Sequence, residues 1–229
     1  MAGTVPQRAM VLAAGRGERL RPLTDRVPKP LLAAGSRPLV GHVLARLAEA
    51  GFREVVVNAG WQAARLMAAL GDGGAFGVRI RWSREPPGAY ETAGGIVAAL
   101  PLLGEGPFVV ANADVWSGYP FARLRRPLRG LAHLVLVDNP PHHPGGDFGL
   151  LGDGRVHPTQ GRRLTYTGIA VLHPALLAGC GCGRQPLAPL LRHAAAHGLV
   201  TGERWEGAWL DVGTPARLAE LRARLGAAA

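Results

Sequence analysis

Lysine is almost missing from this 229-residue chain: Lys29 is the single one among the 26 Lys and Arg residues. Arginine therefore serves wherever a generic positive charge will do. An ammonium on a flexible stem acts as a movable point charge, which a planar guanidinium fork cannot. Cysteine is nearly as scarce. Cys180 and Cys182 form a C-x-C between Gly179 and Gly183. The second ligand pair of a structural zinc site is lacking, so the reading is a reduced loop. Aromatic residues make up 6% of the chain and form no stacking motif, and the Arg residues are dispersed rather than clustered on a helix. Both facts argue against a nucleic-acid surface. No apolar run approaches the roughly 18 residues of a membrane span. The first residues show no charged stretch followed by an apolar one and a cleavage site. A soluble, cytoplasmic protein is expected, with no membrane partner. No linker and no internal repeat interrupt residues 1–229, which predicts one domain. The formal charge of +10 suits a polyanionic ligand. Abundant Ala, Gly and Arg with little Lys, Asn or Phe, however, reflect a coding bias toward G and C, so the charge decides little.

Hydrophobic periodicity organises what is present. Arg8–Ala13 reads as a buried strand running into a glycine-rich loop. Residues 38–50 carry Leu39, Val43, Leu44 and Leu47 at helical spacing, and Gly51 terminates them. Strands are expected at 54–58, 78–82 and 108–111, with helices at 61–70 and at 92–100, the latter capped by Thr92. This alternation predicts a parallel sheet covered on both faces by helices. After residues 131–137 the pattern changes. A Pro/His-rich loop at 138–144 precedes a hairpin over 147–156 around Gly152-Asp153-Gly154. A strand at 164–172 and helices near 186–197 and 215–225 follow. The expectation is an α/β fold with a mixed, mostly parallel sheet. Residues 8–137 form the nucleotide-binding half and 138–229 an antiparallel half that walls a second ligand.

The first strand ends in Leu12-Ala13-Ala14-Gly15-Arg16-Gly17, and Pro28-Lys29-Pro30 follows. A dinucleotide fingerprint would need a third Gly where Leu20 stands, and a P-loop would need Gly-Lys-Ser/Thr. What remains is a glycine turn with Arg16, Arg19 and Arg21. Backbone N–H groups in such a turn cradle phosphate oxygens, and guanidinium groups bind them bidentately. The flanking prolines predict a stiff, extended setting for Lys29. A single lysine could equally be left there by chance, and only the surrounding motif argues otherwise.

That motif resembles the sugar-phosphate nucleotidyltransferases. Leu12-Ala13-Ala14-Gly15, then Gly17-Glu18-Arg19-Leu20-Arg21-Pro22-Leu23-Thr24, then Pro28-Lys29-Pro30-Leu31 follow the family's order. The resemblance implies a Rossmann-like fold that joins a nucleoside triphosphate to a sugar 1-phosphate with release of pyrophosphate. Lys29 and Arg19 would be the catalytic cations. Ala14, Gly15, Gly17, Glu18 and Asn112 would bind the nucleotide together with Arg19 and Lys29. Glu91 and Gly94, in Glu91-Thr92-Ala93-Gly94-Gly95, stand where the family reads the base. Asp147, Gly149 and Gly168 resemble sugar-binding positions. Asp114 and Asp211, the latter in Trp209-Leu210-Asp211-Val212-Gly213-Thr214-Pro215, would hold Mg²⁺. Ala113 departs from the family's Gly-Asp. Taken alone, Asp114 reads as a turn former and Asp211 as the cap of the helix at Pro215. His142 and His143 read as solvated or part of a lid. Short family members with these motifs are uridylyltransferases of a recycled cell-wall sugar, which implies UTP; short mannose-1-phosphate guanylyltransferases, which use GTP, carry very similar loops. A monomer or small homo-oligomer is expected. A non-catalytic basic domain that binds nucleic acid or regulates is the alternative of a different class.

Overall fold

The computed structural model describes residues 4–226. Four strands lie parallel in the spatial order Arg79–Arg84, Glu54–Ala59, Arg8–Leu12 and Phe108–Asn112. Their β-branched and small apolar residues are buried on both sides, because successive side chains point to opposite faces. Ala9, Val11, Val55, Val57, Val109 and Ala111 pack beneath the helices Leu39–Glu49 and Ala63–Leu70. Met10, Val56, Phe108 and Val110 face the helices Thr92–Leu103 and Leu187–Ala196. The expected layering is therefore present.

The second half extends the same sheet. The long strand Arg162–Leu172 pairs antiparallel with Phe108–Asn112 on one side. On the other side it pairs with Ala132–Val137 and, nearer its start, with the hairpin strand Phe148–Leu150. Its ladder shifts register between Tyr166 and Ala170, around Gly168 at φ +79°. A Cβ on Gly168 would stand 2.5 Å from Asn112 Nδ2. The glycine thus leaves room for a side chain of the central parallel strand.

Five strands were not foreseen, among them the short ladder of Ala33–Ala34 with Arg37–Pro38. Val200–Arg204 pairs parallel with Ala132–Val137 at the sheet edge. Val115–Ser117 and Trp209–Asp211 form a separate antiparallel ladder. This small ladder brings the late segment against the end of the central strand. Beneath it a third apolar cluster joins Leu20 and Leu32 of the early loops to Leu210, Val212, Leu218 and Leu221. Full burial of a leucine stabilises by about 2 kcal/mol, so Leu20 anchors the glycine-rich loop to the C-terminal helix Pro215–Gly226.

Two local expectations differ. Lys29–Leu31 is a single 3₁₀ turn rather than extended chain, closed by Leu31 N–H donating to the Pro28 carbonyl at 2.8 Å. Pro30 favours this, because its fixed φ and missing donor suit the first turn of a helix. Thr92 is the first helical residue, and Glu91 occupies the cap position with no side-chain capping bond. Among the described residues, no helix is long and apolar enough to cross a membrane.

Candidate active site

The glycine-rich loop leaves the first strand and is stapled from the side by the corner after Glu54–Ala59. Trp61 N–H donates to the Ala14 carbonyl at 3.0 Å, its indole N–H to the Thr24 carbonyl at 3.2 Å, and the Gln62 amide to the Asp25 carbonyl at 3.1 Å. Arg16 lies 3.8 Å above the Trp61 ring and pairs with Asp25 at 2.9 Å. Arg21 pairs with Asp25 at 3.0 Å. Of the three loop arginines, only Arg19 has no hydrogen bond or ion pair among the described residues. A free guanidinium remains beside the loop for an anion.

Gly17 sets the position of Lys29. Its φ is +69°, and a Cβ there would meet Lys29 Cβ at 2.9 Å. The Lys29 side chain is 13% exposed and its ammonium forms an ion pair with Asp114. Asp114 follows the central strand Phe108–Asn112. Ala113, which replaces the glycine of the resembling motif, is buried, keeps negative φ and donates its N–H to the Leu12 carbonyl at 3.0 Å. Alanine therefore introduces no backbone strain here.

Asp211 comes from the other end of the chain. Val212 N–H donates to the Asp114 carbonyl at 2.8 Å, so the turn that carries Asp114 is joined to the end of the strand that carries Asp211. Both line one cleft of about 390 Å³ with Arg19, Asp147, Thr165, Tyr166, Gly168 and Trp209. Asp211 does not cap the C-terminal helix. Thr214 Oγ1 accepts the Arg217 N–H at 3.4 Å, while the Asp211 carboxylate pairs with the Arg217 guanidinium. Asp147 accepts from Tyr166 N–H at 2.8 Å and contacts His143 Nε2 at 3.1 Å.

A second cleft of about 450 Å³ adjoins the first and is lined by Ala14, Gly15, Arg16, Glu18, Trp61, Glu85, Tyr90 and Glu91. Asn112 borders both. At its floor, Ala13 N–H donates to Asn58 Oδ1 at 2.6 Å, and Asn58 Nδ2 donates to Glu85 Oε1 at 2.7 Å. Burial pushes the Glu85 carboxyl above the usual carboxylate range, and the Asn58 amide offsets this only in part. A half-buried carboxyl perturbed in this way inside a cleft is a candidate functional position.

Four expected site residues line neither cleft: Gly17 and Lys29, packed against each other, and Gly94 and Gly149. Gly94 is buried in its helix, where a Cβ would lie 1.9 Å from the Gly183 carbonyl oxygen. A Cβ on Gly149 would lie 1.7 Å from the Gln160 carbonyl oxygen. Both glycines permit backbone packing and line neither cleft. Asn58, Trp61, Glu85, His142, His143 and Arg217 line the clefts without having been singled out as binders. The histidine pair, expected to be solvated or part of a lid, is partly exposed, with His142 beside Asp211 and His143 beside Asp147. The loop cysteines are both free, and no group of three or more His, Cys, Asp or Glu side chains converges among the described residues.

The comparisons with known proteins agree with this layout. The family model described as Nucleotidyl transferase matches residues 8–160. The chain is 49% identical to an N-acetylmuramate α-1-phosphate uridylyltransferase of Neisseria meningitidis serogroup B, over 96% of this chain and 99% of that one. It is 38% identical to the protein of the same name from Caulobacter vibrioides, over 97% and 98% of the two chains. In structure it resembles a Bacillus anthracis protein assigned as a glucose-1-phosphate thymidylyltransferase. That match has a TM-score of 0.82 at 18% identity and covers 95% and 94% of the chains. With that family model over residues 8–160 and two relatives matched over nearly their whole length, the chain belongs to the nucleotidyl transferase family.

Proposed function

We propose that this chain transfers a uridylyl group from UTP to N-acetylmuramic acid 1-phosphate, releasing pyrophosphate. The observation that supports this reading is the pairing of Lys29 with Asp114, whose carbonyl is tied to Val212 beside Asp211, next to the cleft that both aspartates line. The names and coverage of the Neisseria and Caulobacter relatives support the choice of base and sugar.

In this reading the 450 Å³ cleft takes the nucleoside and the 390 Å³ cleft takes the sugar phosphate. An oxygen of the sugar phosphate attacks the α-phosphorus of UTP in line. The new P–O bond forms as the bond from the α-phosphorus to the bridging oxygen breaks, and its electron pair leaves on pyrophosphate. The attacking oxygen is already anionic, so no base has to take a proton. The barrier lies in bringing two anions together, and positioned positive charge lowers it. Lys29 leaves Asp114 to bridge the two phosphates, and Arg19 with the loop N–H groups of residues 15–17 holds the β- and γ-phosphates. Glu91, Glu85 and Asn112 border the base and ribose; Asp147 and the strand around Gly168 border the sugar.

Asp114 and Asp211 fit a divalent cation of the Mg²⁺ type. They are hard oxygen donors that line the same cleft and are linked through the Val212 N–H bond to the Asp114 carbonyl, and phosphate oxygens are the further donors such an ion would take. When bound, such an ion neutralises charge on the α-phosphate. Residues 8–137 and 138–229 act in this account as halves of one catalytic domain, working in the cytosol as a monomer or small oligomer.

The test is pyrophosphate release with UTP, GTP, dTTP, CTP and ATP, each crossed with a panel of sugar 1-phosphates. The expected optimum is UTP with N-acetylmuramic acid 1-phosphate. An optimum with GTP and mannose 1-phosphate would overturn the reading, and so would duplex-DNA binding that weakens steeply with salt in the absence of any turnover.

A further inference from the structure

The charges of the 390 Å³ cleft are unevenly spoken for. Lys29 answers Asp114, and His143 answers Asp147. Two guanidinium groups and one imidazole remain for the single carboxylate of Asp211. Arg217 pairs with it directly and His142 Nε2 lies 3.4 Å from it. Arg217 Nη1 lies 2.6 Å from His142 Nε2. Arg19 has no partner among the described residues. Both arginines lean over Gly213: a Cβ there would stand 2.5 Å from Arg217 Nη2 and 3.0 Å from Arg19 Nη2. The missing side chain makes room for two like charges to converge, an arrangement that favours an anion between or beside them.

Arg217 is the more enclosed of the two. Its side chain is 12% exposed and it rises from the first turn of the helix Pro215–Gly226, fixed there by Thr214. It lines the cleft that holds Asp147, Thr165 and Tyr166, and it is absent from the nucleoside cleft. Arg217 therefore meets the acceptor sugar. In that reading the phosphate of the sugar already has Lys29, and Arg19 serves the triphosphate, so a planar fork held at the sugar side matches a second, planar anion, which a carboxylate supplies bidentately.

Resting on the functional reading above, we propose that Arg217, with His142 beside it, is the specificity-determining group that recognises a carboxylate carried on the sugar ring. The site thereby selects acidic amino-sugar 1-phosphates over neutral ones. N-acetylmuramic acid 1-phosphate and N-acetylglucosamine 1-phosphate differ only by the lactyl ether that bears such a carboxylate, so they form the discriminating pair.

The experiment measures kcat and KM with UTP for both sugars in the wild type, Arg217→Ala, Arg217→Lys and His142→Ala, with thermal melts to verify folding. The ratio of kcat/KM, muramic over glucosamine, is expected to fall about 30-fold in Arg217→Ala, as loss of a charged hydrogen-bonded partner does, and to fall through KM. Arg217→Lys should recover part of the ratio, and His142→Ala should lower it several-fold. Equal losses for both sugars would overturn the proposal, since Arg217 would then serve the shared phosphate or merely orient Asp211. Should Arg217→Ala fail to fold, an unchanged ratio in both other variants would overturn it. A wild type that uses both sugars equally well with UTP would also overturn it while leaving uridylyl transfer standing. A wild type that uses neither would refute the functional reading itself.

Discussion

A methyl group on Gly17 would reach 2.9 Å from Lys29 Cβ, 3.0 Å from its Cδ and 3.2 Å from Thr24 Cγ2. The residue also holds φ +69°, where a side chain costs roughly 1 kcal/mol before any clash is counted. Gly17→Ala is accordingly expected to destabilise the fold by about 1–3 kcal/mol, to be read from urea unfolding. It should also lower turnover by displacing Lys29. Arg19 gives the opposite pattern. It is exposed and has no partner among the described residues, so Arg19→Ala should leave the melting temperature almost unchanged, as surface substitutions within about 0.5 kcal/mol do. Its kcat/KM for UTP should nonetheless fall on the order of tenfold or more, the effect of losing a charged phosphate contact. A large drop in melting temperature with normal UTP kinetics would contradict that assignment. The sequence made these residues legible because their motif is contiguous. It did not make His142 legible, because only the fold brings it to Asp211 and Arg217, nor Arg217, because the turn of the C-terminal helix onto Asp211 leaves no local pattern.

At the scale of elements, helices and central strands were readable from periodicity, and the short or polar strands were not. Val115–Ser117 and Trp209–Asp211 are three residues each and pair across less than half the length of the chain, far beyond any local window; no local pattern announces such a ladder. Val200–Arg204 is an edge strand, half-exposed after Val200, with Gly202 at its centre. Its fourth residue nevertheless anchors a polar network. Glu203 accepts from the Tyr119 hydroxyl at 2.5 Å, and Arg123, Arg126 and His133 surround it. Burial by itself would raise the Glu203 carboxyl, but the hydrogen bonds from His133 and Tyr119 and the two arginines outweigh it and hold it at about 2. A carboxyl with a depressed native pKa stabilises the fold fully above its unfolded value near 4.5, and this contribution, about 3 kcal/mol, is lost as pH falls from there toward 2. Melting temperature measured from pH 6 to pH 2.5 should therefore decline less steeply in Glu203→Gln than in the wild type. Parallel curves would contradict the network.

At the scale of the whole molecule, the two ends of the chain meet where the chemistry is proposed. The apolar cluster of Leu20, Leu32, Leu210, Val212 and Leu218 locks the glycine-rich loop to the segment bearing Asp211, and the sheet delivers Asp114 between them. The alternating first half was legible in the sequence because parallel strands buried on both faces leave nearly unbroken apolar runs. How the second half closes over the site was not, because Arg162–Leu172 bonds to strands on both of its sides and bends at Gly168. All of this architecture converges on the ammonium of Lys29, held beside Asp114. The most direct measurement is the steady-state turnover of Lys29→Ala with saturating UTP and N-acetylmuramic acid 1-phosphate, alongside UTP affinity for the same variant. The account predicts a kcat lower by roughly 100-fold or more, the effect of removing one transition-state charge partner, in a folded protein that still binds UTP. Turnover within a few-fold of the wild type would contradict it.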